Sequence, residues 1–285
     1  MHISSLREGA CHSSSSSTSC QPSHMSYEQF TSPRGLGAVA LRASGLGIVI
    51  GIHGIWLALA VFSSWSYGDW AAYITALAAW HSGEFLMCAR NNPWDVSIEQ
   101  FMLNHSKPYI FAMSGSVIEY WTWHLLGISA PQAWTSIIHA IRVIAMVLCA
   151  LGVALRWGAM WTAGSSFHHE VQTEKRHTHR LITHGPYRWS RHPSYVGWWW
   201  WSVAGQAALG NPLCTVLFAW AATRFFADRV QFEELALVDM FGNAYIQYAK
   251  HTPTWIPGAA GHDFNQLDVS ASTSHAEARA SSKER

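Results

Sequence analysis

Two polar segments near the C-terminal end of the chain carry the residue types that chemistry requires. The first covers residues 167–193, is dense in histidine, arginine, tyrosine and glycine, and runs into His192-Pro193-Ser194-Tyr195. Proline fits the first turn of a helix, where its missing N–H costs nothing. A helix that begins at Pro193 would have free N–H groups at its start, and these can bind an anion or a carboxylate. The side chains of His192, Ser194 and Tyr195 would surround that binding point. An anchor of polar and aromatic residues at a membrane surface is the alternative interpretation.

The second polar segment, residues 224–248, places Arg229 and Glu233 four residues apart, on one face of a predicted helix. An ordinary surface pair at this spacing contributes only a few tenths of a kcal/mol. This helix continues out of an apolar stretch, so its first turns should face residues 193–195 at the edge of a membrane. A guanidinium there can hold a carboxylate through two hydrogen bonds.

Histidine is frequent in the first segment, which at first suggests a metal site. The residues concerned are His168, His169, His177, His179, His184 and His192. No HExxH pattern occurs, and no acidic ligand shares their spacing. The sequence therefore predicts no bound metal.

The elements that must position these residues are apolar. Of the 285 residues 49% are hydrophobic and 12% are charged, about half the charge of a soluble domain. The net charge of +1 does not fit a nucleic-acid-binding protein.

A membrane-spanning helix needs about 20 residues, and Asn211-Pro212 divides the longest charge-free stretch with a turn signal. The predicted spans cover residues 38–62, 70–89, 109–126, 134–155, 193–209 and 213–227.

These spans predict an all-α, polytopic integral membrane protein with about six transmembrane helices, the last two forming a hairpin. The loops after spans one, three and five contain no Lys or Arg, so both termini and the larger loops should be cytosolic. Glu84, Glu119 and Arg142 lie inside spans, and we expect them to join helices. The predicted regions are a Ser-rich disordered tail (1–35), transmembrane helices one to four (36–162), a catalytic region with helices five and six (163–257) and a disordered tail (258–285).

The catalytic region closely resembles the isoprenylcysteine carboxyl methyltransferase family. The first block of matching residues is Ala163-Gly164-Ser165-Ser166-Phe167, Val171-Gln172-Thr173-Glu174-Lys175, His179, Leu181-Ile182-Thr183, Gly185, Tyr187 and Arg191-His192-Pro193-Ser194-Tyr195-Val196-Gly197. The second is Asn211-Pro212, Arg224-Phe225-Phe226, Asp228-Arg229, Glu233-Glu234, Phe241-Gly242, Tyr245, Tyr248 and Pro257. The resemblance is weaker upstream and covers roughly residues 40–257.

The resemblance implies an enzyme of the endoplasmic reticulum membrane. It would transfer a methyl group from S-adenosylmethionine to the α-carboxylate of a C-terminal prenylated cysteine, with S-adenosylhomocysteine as the second product. Its substrates would be processed CaaX proteins such as small GTPases. Arg229 and Glu233 would be the catalytic residues, with Arg229 holding the substrate carboxylate. The implied cofactor contacts are Gln172, His179, Arg180, Leu181, Ile182, Tyr187, His192, Pro193, Ser194, Tyr195 and Glu233.

Three alternatives stay open at this point. A membrane sterol reductase using NADPH would share the helix layout but would not need the block around Gln172 or the pair Arg229 and Glu233. A phospholipid N-methyltransferase would methylate an amine and would not need Arg229. A transporter or receptor would account for the charges inside the spans but not for the polar residues gathered on one side.

Overall fold

The computed structural model describes residues 32–63, 66–104, 106–128, 131–172 and 179–264. Within these ranges the chain is all-helical. Its α-helices are α1 (Leu36–Ser63), α2 (Gly68–Asn91), α3 (Lys107–Leu125), α4 (Thr135–Ala163), α5 (Pro193–Leu209), α6 (Pro212–Phe241) and α7 (Asn243–His251). Short 3-10 turns occupy Ile98–Phe101, Gln132–Trp134, Gly164–Ser166 and Gly185–Arg188.

Each predicted span coincides with a helix, but the helix ends differ. α4 continues past the predicted end at residue 155 to Ala163, because the sequence after Arg156 stays apolar. Two segments, Leu36–Ser63 and Gln132–Ser166, are long and apolar enough to cross a membrane by length and composition alone. α5 has 17 residues, which is short for a span of about 20. The count of six spans therefore stays a prediction.

The hairpin of α5 and α6 starts and stops where the local sequence requires. Each helix begins with a proline, Pro193 or Pro212, where the lost N–H has no intrahelical partner in any case. Gly210 ends α5 at φ +86°, a left-handed conformation that glycine adopts without a steric cost. The predicted tight hairpin is thus the observed structure of this region.

α4 and α5 pack with their backbones in contact. A Cβ atom on Gly152 of α4 would lie 2.7 Å from the carbonyl oxygen of Gly197 on α5, and one on Gly197 would lie 2.5 Å from the carbonyl oxygen of Gly152. Glycine at both positions permits this approach. As a result Arg156, one turn beyond Gly152, lies beside the first residues of α5.

The three charges predicted inside the spans do join helices. Glu84 of α2 pairs with Arg156 of α4, and Arg142 of α4 bonds Asp69 at 2.5 Å and the carbonyl of Ala208 at 2.9 Å. Glu119 of α3 accepts hydrogen bonds from the start of α6. All three confirm the expectation that charges inside the spans connect neighbouring helices.

Glu119 closes the N-terminus of α6 from a different helix. Its Oε1 accepts from the backbone N–H of Leu213 at 2.8 Å, and its Oε2 accepts from that of Cys214 at 2.7 Å. These N–H groups have no partner within α6, and a negative charge at a helix N-terminus is stabilising. Beside it the amide of Asn211 donates to the carbonyl of Ser116 at 2.9 Å. The turn between α5 and α6 is therefore fixed to α3.

The packed part of the chain ends later than the sequence indicates. Residues 252–264 return from α7 toward α6, and Ile256, Ala259 and Phe264 are buried, the last being 3% exposed. The prediction of a disordered tail from residue 258 is therefore wrong for its first seven residues, 258–264, because the apolar side chains among them are buried in the fold. Residues 265–285 and 1–31 lie outside the described residues.

We expect Glu119→Ala to lower the free energy of unfolding by about 1–3 kcal/mol, because it leaves two N–H groups at the start of α6 without their acceptor. Thermal unfolding in detergent measures the change. Asp239→Ala, at an exposed position on α6, is the matched control and should leave the melting temperature unchanged. Equal melting temperatures for wild type and Glu119→Ala would contradict this assignment.

Candidate active site

The two polar segments and the end of α6 line a cavity of about 120 Å³, called here the first cavity. The N-terminus of α5 forms one wall, residues 180–187 form another, and α6 and α7 close it. Eight of the residues predicted to contact a cofactor line it: Arg180, Leu181, Ile182, Tyr187, His192, Ser194, Tyr195 and Glu233. Side chains far apart in the sequence are thus brought together around one cavity.

A wider cavity of about 880 Å³, the second cavity, lies on the other side of Tyr195. Its walls come from the start of α1, the loop of residues 95–104, the segment 167–172 and α6. Arg229 lines this cavity, and Glu233, one turn further along α6, lines the first. Phe167, His168 and Tyr195 line both. The two cavities therefore meet at these three residues.

Arg229 and Glu233 are connected through the hydroxyl group of Tyr195. The Nε of Arg229 donates to the Tyr195 oxygen at 2.7 Å, and the Tyr195 hydroxyl donates to the Glu233 carboxylate. The second contact of the guanidinium is a hydrogen bond from Nη2 to the backbone carbonyl of His169. Among the described residues no carboxylate lies within 4.0 Å of the guanidinium. Arginine has five N–H donors, so Arg229 retains both donors and positive charge for a ligand.

The start of α5 is held by residues from α4 and α6. Ser194 Oγ accepts from Arg156 Nη1 at 3.0 Å. The His192 ring stacks on Tyr195 with 5.5 Å between centroids, and its Nε2 lies 3.3 Å from a Glu234 oxygen. Pro193 is buried and lines neither cavity. Its contribution is to begin the helix.

Gln172 and His179 lie at a side cavity of about 90 Å³, which shares Arg180, Tyr195 and Glu233 with the first cavity. Gln172 also lines the second cavity. Residues 173–178, including Thr173-Glu174-Lys175 of the motif, lie outside the described residues. In the part of the chain that is described, no three His, Cys, Asp or Glu side chains are grouped to hold a metal ion.

Two further tyrosines line the first cavity that the sequence did not single out as ligands. Tyr245 is 1% exposed, and its hydroxyl has no hydrogen-bond partner among the described residues. The Tyr248 hydroxyl donates to the carbonyl of Tyr187 at 2.6 Å. Burial raises the pKa of the Tyr187, Tyr245 and Tyr248 hydroxyls above the ordinary value, so all three stay neutral donors at physiological pH. A buried hydroxyl without a partner beside a cavity points to a bound polar ligand.

Arg156 is a third site residue that the sequence analysis does not identify, because the predicted fourth span ends at residue 155. It is 2% exposed, bonds Glu84 and lines the second cavity. The sequence does contain a signal for this residue, because Arg156 is followed by an apolar run to Ala163. A charge inside an apolar helix is costly unless it is paired, so such an arginine indicates a buried partner. Its partner could not be read from the sequence.

Arg191 fixes the C-terminal segment beneath the first cavity. Its guanidinium donates to Glu234 at 2.7 Å and to the carbonyls of Ala249, Thr252 and Ala260 at 2.8, 3.0 and 3.0 Å. Glu234 also accepts from the backbone N–H of His262 at 2.7 Å. This buried pair therefore joins the start of α5, α6, the end of α7 and residues 252–262.

Comparisons with known proteins give consistent matches. Residues 143–239 match the model of the "Isoprenylcysteine carboxyl methyltransferase (ICMT) family". The chain is 42% identical over 224 residues to a protein-S-isoprenylcysteine O-methyltransferase of Mus musculus, covering 78% of this chain and 76% of that protein. For the Saccharomyces cerevisiae protein of that name the identity is 35% over 226 residues, covering 78% and 91%. A solved structure described as the eukaryotic intramembrane Ras methyltransferase ICMT superposes with a TM-score of 0.71 at 36% identity, covering 79% of this chain and 78% of that one.

We expect Arg191→Met to destabilise the protein by about 3–5 kcal/mol, because it leaves the buried Glu234 carboxylate without its cation. The C-terminal segment should also become accessible to protease, with cleavage after residue 250 measured by mass spectrometry. Arg188→Met, at an exposed position three residues away, is the control. Unchanged cleavage in Arg191→Met would show that Arg191 does not hold this segment.

Proposed function

The chain belongs to the isoprenylcysteine carboxyl methyltransferase family, and from that premise we propose that it methylates the α-carboxylate of a C-terminal S-prenylated cysteine. The methyl donor is S-adenosylmethionine, and the products are a methyl ester and S-adenosylhomocysteine. Processed CaaX proteins such as small GTPases are the substrates. The observation that carries the proposal is the meeting of two cavities at Tyr195, with Glu233 on one side and the Arg229 guanidinium on the other.

The residues that line the first cavity suit S-adenosylmethionine in their chemistry. Tyr245 offers a buried hydroxyl with no partner among the described residues, and Leu181 and Ile182 offer apolar surface. The rings of Tyr187 and Tyr195 and the Glu233 carboxylate also face it. Aromatic rings and a carboxylate attract a cation, which suits a positively charged sulfonium. When bound, the sulfonium supplies an activated methyl group.

The second cavity suits the carboxylate substrate. A C-terminal carboxyl group has a pKa near 3.5, so it is ionised at neutral pH and needs no general base. Removing its water is costly unless a cation pairs with it. Arg229, which has donors to spare and makes no direct ion pair with a described carboxylate, supplies that cation and can hold both oxygens at once.

Tyr195 fixes the positions of the two ligand sites relative to each other. Its hydroxyl accepts from Arg229 and donates to Glu233, and its ring is stacked against Phe226 and His192. A rigid connection of this kind matters because methyl transfer needs alignment of two groups more than acid or base chemistry. Holding two reactants in the reactive geometry lowers the activation barrier by about 7–11 kcal/mol in favourable cases.

The membrane setting follows from the substrate. Each buried CH₂ of a prenyl chain contributes about 0.8 kcal/mol to membrane binding, so the lipid stays in the bilayer while the polar cofactor arrives from water. The long apolar helices α1 and α4 are consistent with an enzyme embedded in a membrane. We propose the endoplasmic reticulum membrane as its location because of the family to which the chain belongs. We propose that both termini are cytosolic because the loops after spans one, three and five contain no Lys or Arg.

A methyl-transfer assay tests the proposal. Purified protein in lipid nanodiscs is given labelled S-adenosylmethionine and N-acetyl-S-farnesylcysteine. We expect base-labile label on the farnesylcysteine, since a methyl ester hydrolyses in base. Cofactor binding without transfer to this acceptor would move the acceptor to another class, such as a lipid amine. The absence of cofactor binding would contradict a methyltransferase altogether.

Arg229→Ala should lower kcat/KM for farnesylcysteine at least about 10²-fold, because the buried carboxylate loses its cation. The dissociation constant of the cofactor should change little, since Arg229 lies on the other side of Tyr195. Arg224→Ala, a mostly exposed arginine on the same helix, serves as the control with wild-type kinetics. Near-normal turnover by Arg229→Ala would refute the role assigned to this residue.

Tyr245→Phe should weaken cofactor binding about 3- to 10-fold, the loss expected for one neutral hydrogen bond. Isothermal titration with S-adenosylhomocysteine measures it. Tyr67→Phe, at an exposed tyrosine remote from both cavities, controls for general effects. An unchanged dissociation constant would mean that the Tyr245 hydroxyl does not contact the cofactor.

A further inference from the structure

A buried ion pair beside the two cavities has no role in the mechanism so far. Glu84 of α2 is fully buried, and Arg156 of α4 is 2% exposed. The pair is bidentate, with Nε to Oε1 and Nη2 to Oε2 both at 2.5 Å. The guanidinium carbon lies 5.0 Å from the Trp198 ring centroid and 5.8 Å from that of Trp80. Both side chains are thus buried and held in one geometry.

This pair reaches residues of both ligand sites. Arg156 donates from Nη1 to Ser194 Oγ at 3.0 Å, at the start of α5 beside the first cavity. On the other side, Oε2 of Glu84 lies 3.1 Å from His169 Nε2. The backbone carbonyl of His169 in turn accepts from Arg229. The pair therefore lies between the helix N-terminus that faces one cavity and the guanidinium that faces the other.

These contacts form a closed ring. From Ser194 it passes through Arg156, Glu84 and His169 to Arg229, then through the hydroxyl of Tyr195 back to the neighbouring residue, Ser194. It connects α2, α4, α5, α6 and the segment 164–172. Because the ring is closed, a shift of any one member has to move the others or break a hydrogen bond.

We propose that Glu84 and Arg156 are positioning residues for methyl transfer, which hold His169 and thereby Arg229 at a fixed place relative to the start of α5. This inference rests on the proposed function. A buried ion pair gives little net stability compared with apolar side chains of similar volume, so stability alone does not account for it. Positioning does, since an error of about 1 Å in the reacting groups can cost about 10²-fold in rate.

The pair also determines which guanidinium receives the substrate. Arg156 and Arg229 both line the second cavity, so two cations face a carboxylate that enters it. Glu84 occupies two donors of Arg156 and neutralises its charge. Arg229, without a direct ion pair among the described carboxylates, is then the favoured partner. Removing the Glu84 charge alone should create a second, non-productive anion site.

The central test is the double variant Glu84→Met/Arg156→Met, which removes both charges and approximately preserves volume. Replacing a buried ion pair in this way is often neutral or stabilising, so the variant should fold. We expect a melting temperature near that of the wild type, S-adenosylhomocysteine affinity within about threefold, and kcat for N-acetyl-S-farnesylcysteine lowered about 10²-fold. Asp69→Asn/Arg142→Met removes an ion pair of the same 2.5 Å length that lines neither cavity, and its kcat should match the wild type.

Single variants separate positioning from structure. Glu84→Gln should lower kcat while leaving KM unchanged or lowered, because Arg156, no longer paired with a carboxylate, binds the substrate carboxylate non-productively. Arg156→Lys keeps a cation for Glu84 and should recover part of the kcat lost in the double variant. His169→Ala leaves the ion pair in place but removes its link to Arg229, and we expect kcat to fall about tenfold with unchanged cofactor affinity.

The outcomes distinguish this inference from the function on which it rests. A folded double variant with kcat within threefold of the wild type would overturn the positioning role while leaving the proposed function intact. If the double variant does not fold, His169→Ala decides, and wild-type kcat for that variant would overturn the role equally. A wild-type protein that binds cofactor but does not methylate farnesylcysteine would overturn the proposed function and this inference with it.

Discussion

The positive charge of Arg229 is the feature on which the rest of the site depends. An ionised carboxylate brought out of water needs a cation, and a guanidinium already paired with a carboxylate would be a poor one. Here Arg229 is held by the hydroxyl of Tyr195 and the carbonyl of His169, both neutral. The side chain is therefore fixed without being neutralised by a direct partner among the described residues. The four-residue spacing of Arg229 and Glu233 suggests an ordinary ion pair, but in the structure both side chains bond the hydroxyl of Tyr195.

The helices explain how such a residue is held in a largely apolar protein. Glycine at positions 152 and 197 brings α4 and α5 into backbone contact, and that contact places Arg156 beside Ser194. Glu119 fixes the start of α6 to α3, so the helix that carries Arg229 and Glu233 leaves the hairpin at a defined position. Arg191 and Glu234 then fasten the segment after α7 under the first cavity. Each buried charge lies where two or more elements have to meet.

The sequence predicts more of the fold than of the contacts. Long apolar stretches with few charges located the six long helices of the described residues, and the Asn-Pro turn located the hairpin, because both signals are local. The end of α4 and the packing of residues 258–264 were missed, since a single arginine and a polar segment look like boundaries until their tertiary partners are known. Spacing alone brought Arg229 and Glu233 to one face of α6. It did not reveal that Tyr195 lies between them or that Glu84 faces Arg156, because those partners come from distant helices.

The arrangement of two cavities around Tyr195 is tested most directly by an experimental structure with S-adenosylhomocysteine and N-acetyl-S-farnesylcysteine bound together. We predict that the farnesylcysteine carboxylate lies within hydrogen-bonding distance of the Arg229 guanidinium in the second cavity. We also predict that the sulfur of S-adenosylhomocysteine lies in the first cavity, on the Glu233 side of Tyr195, and is directed at that carboxylate. A carboxylate bound away from Arg229, or both ligands in one cavity, would contradict this arrangement.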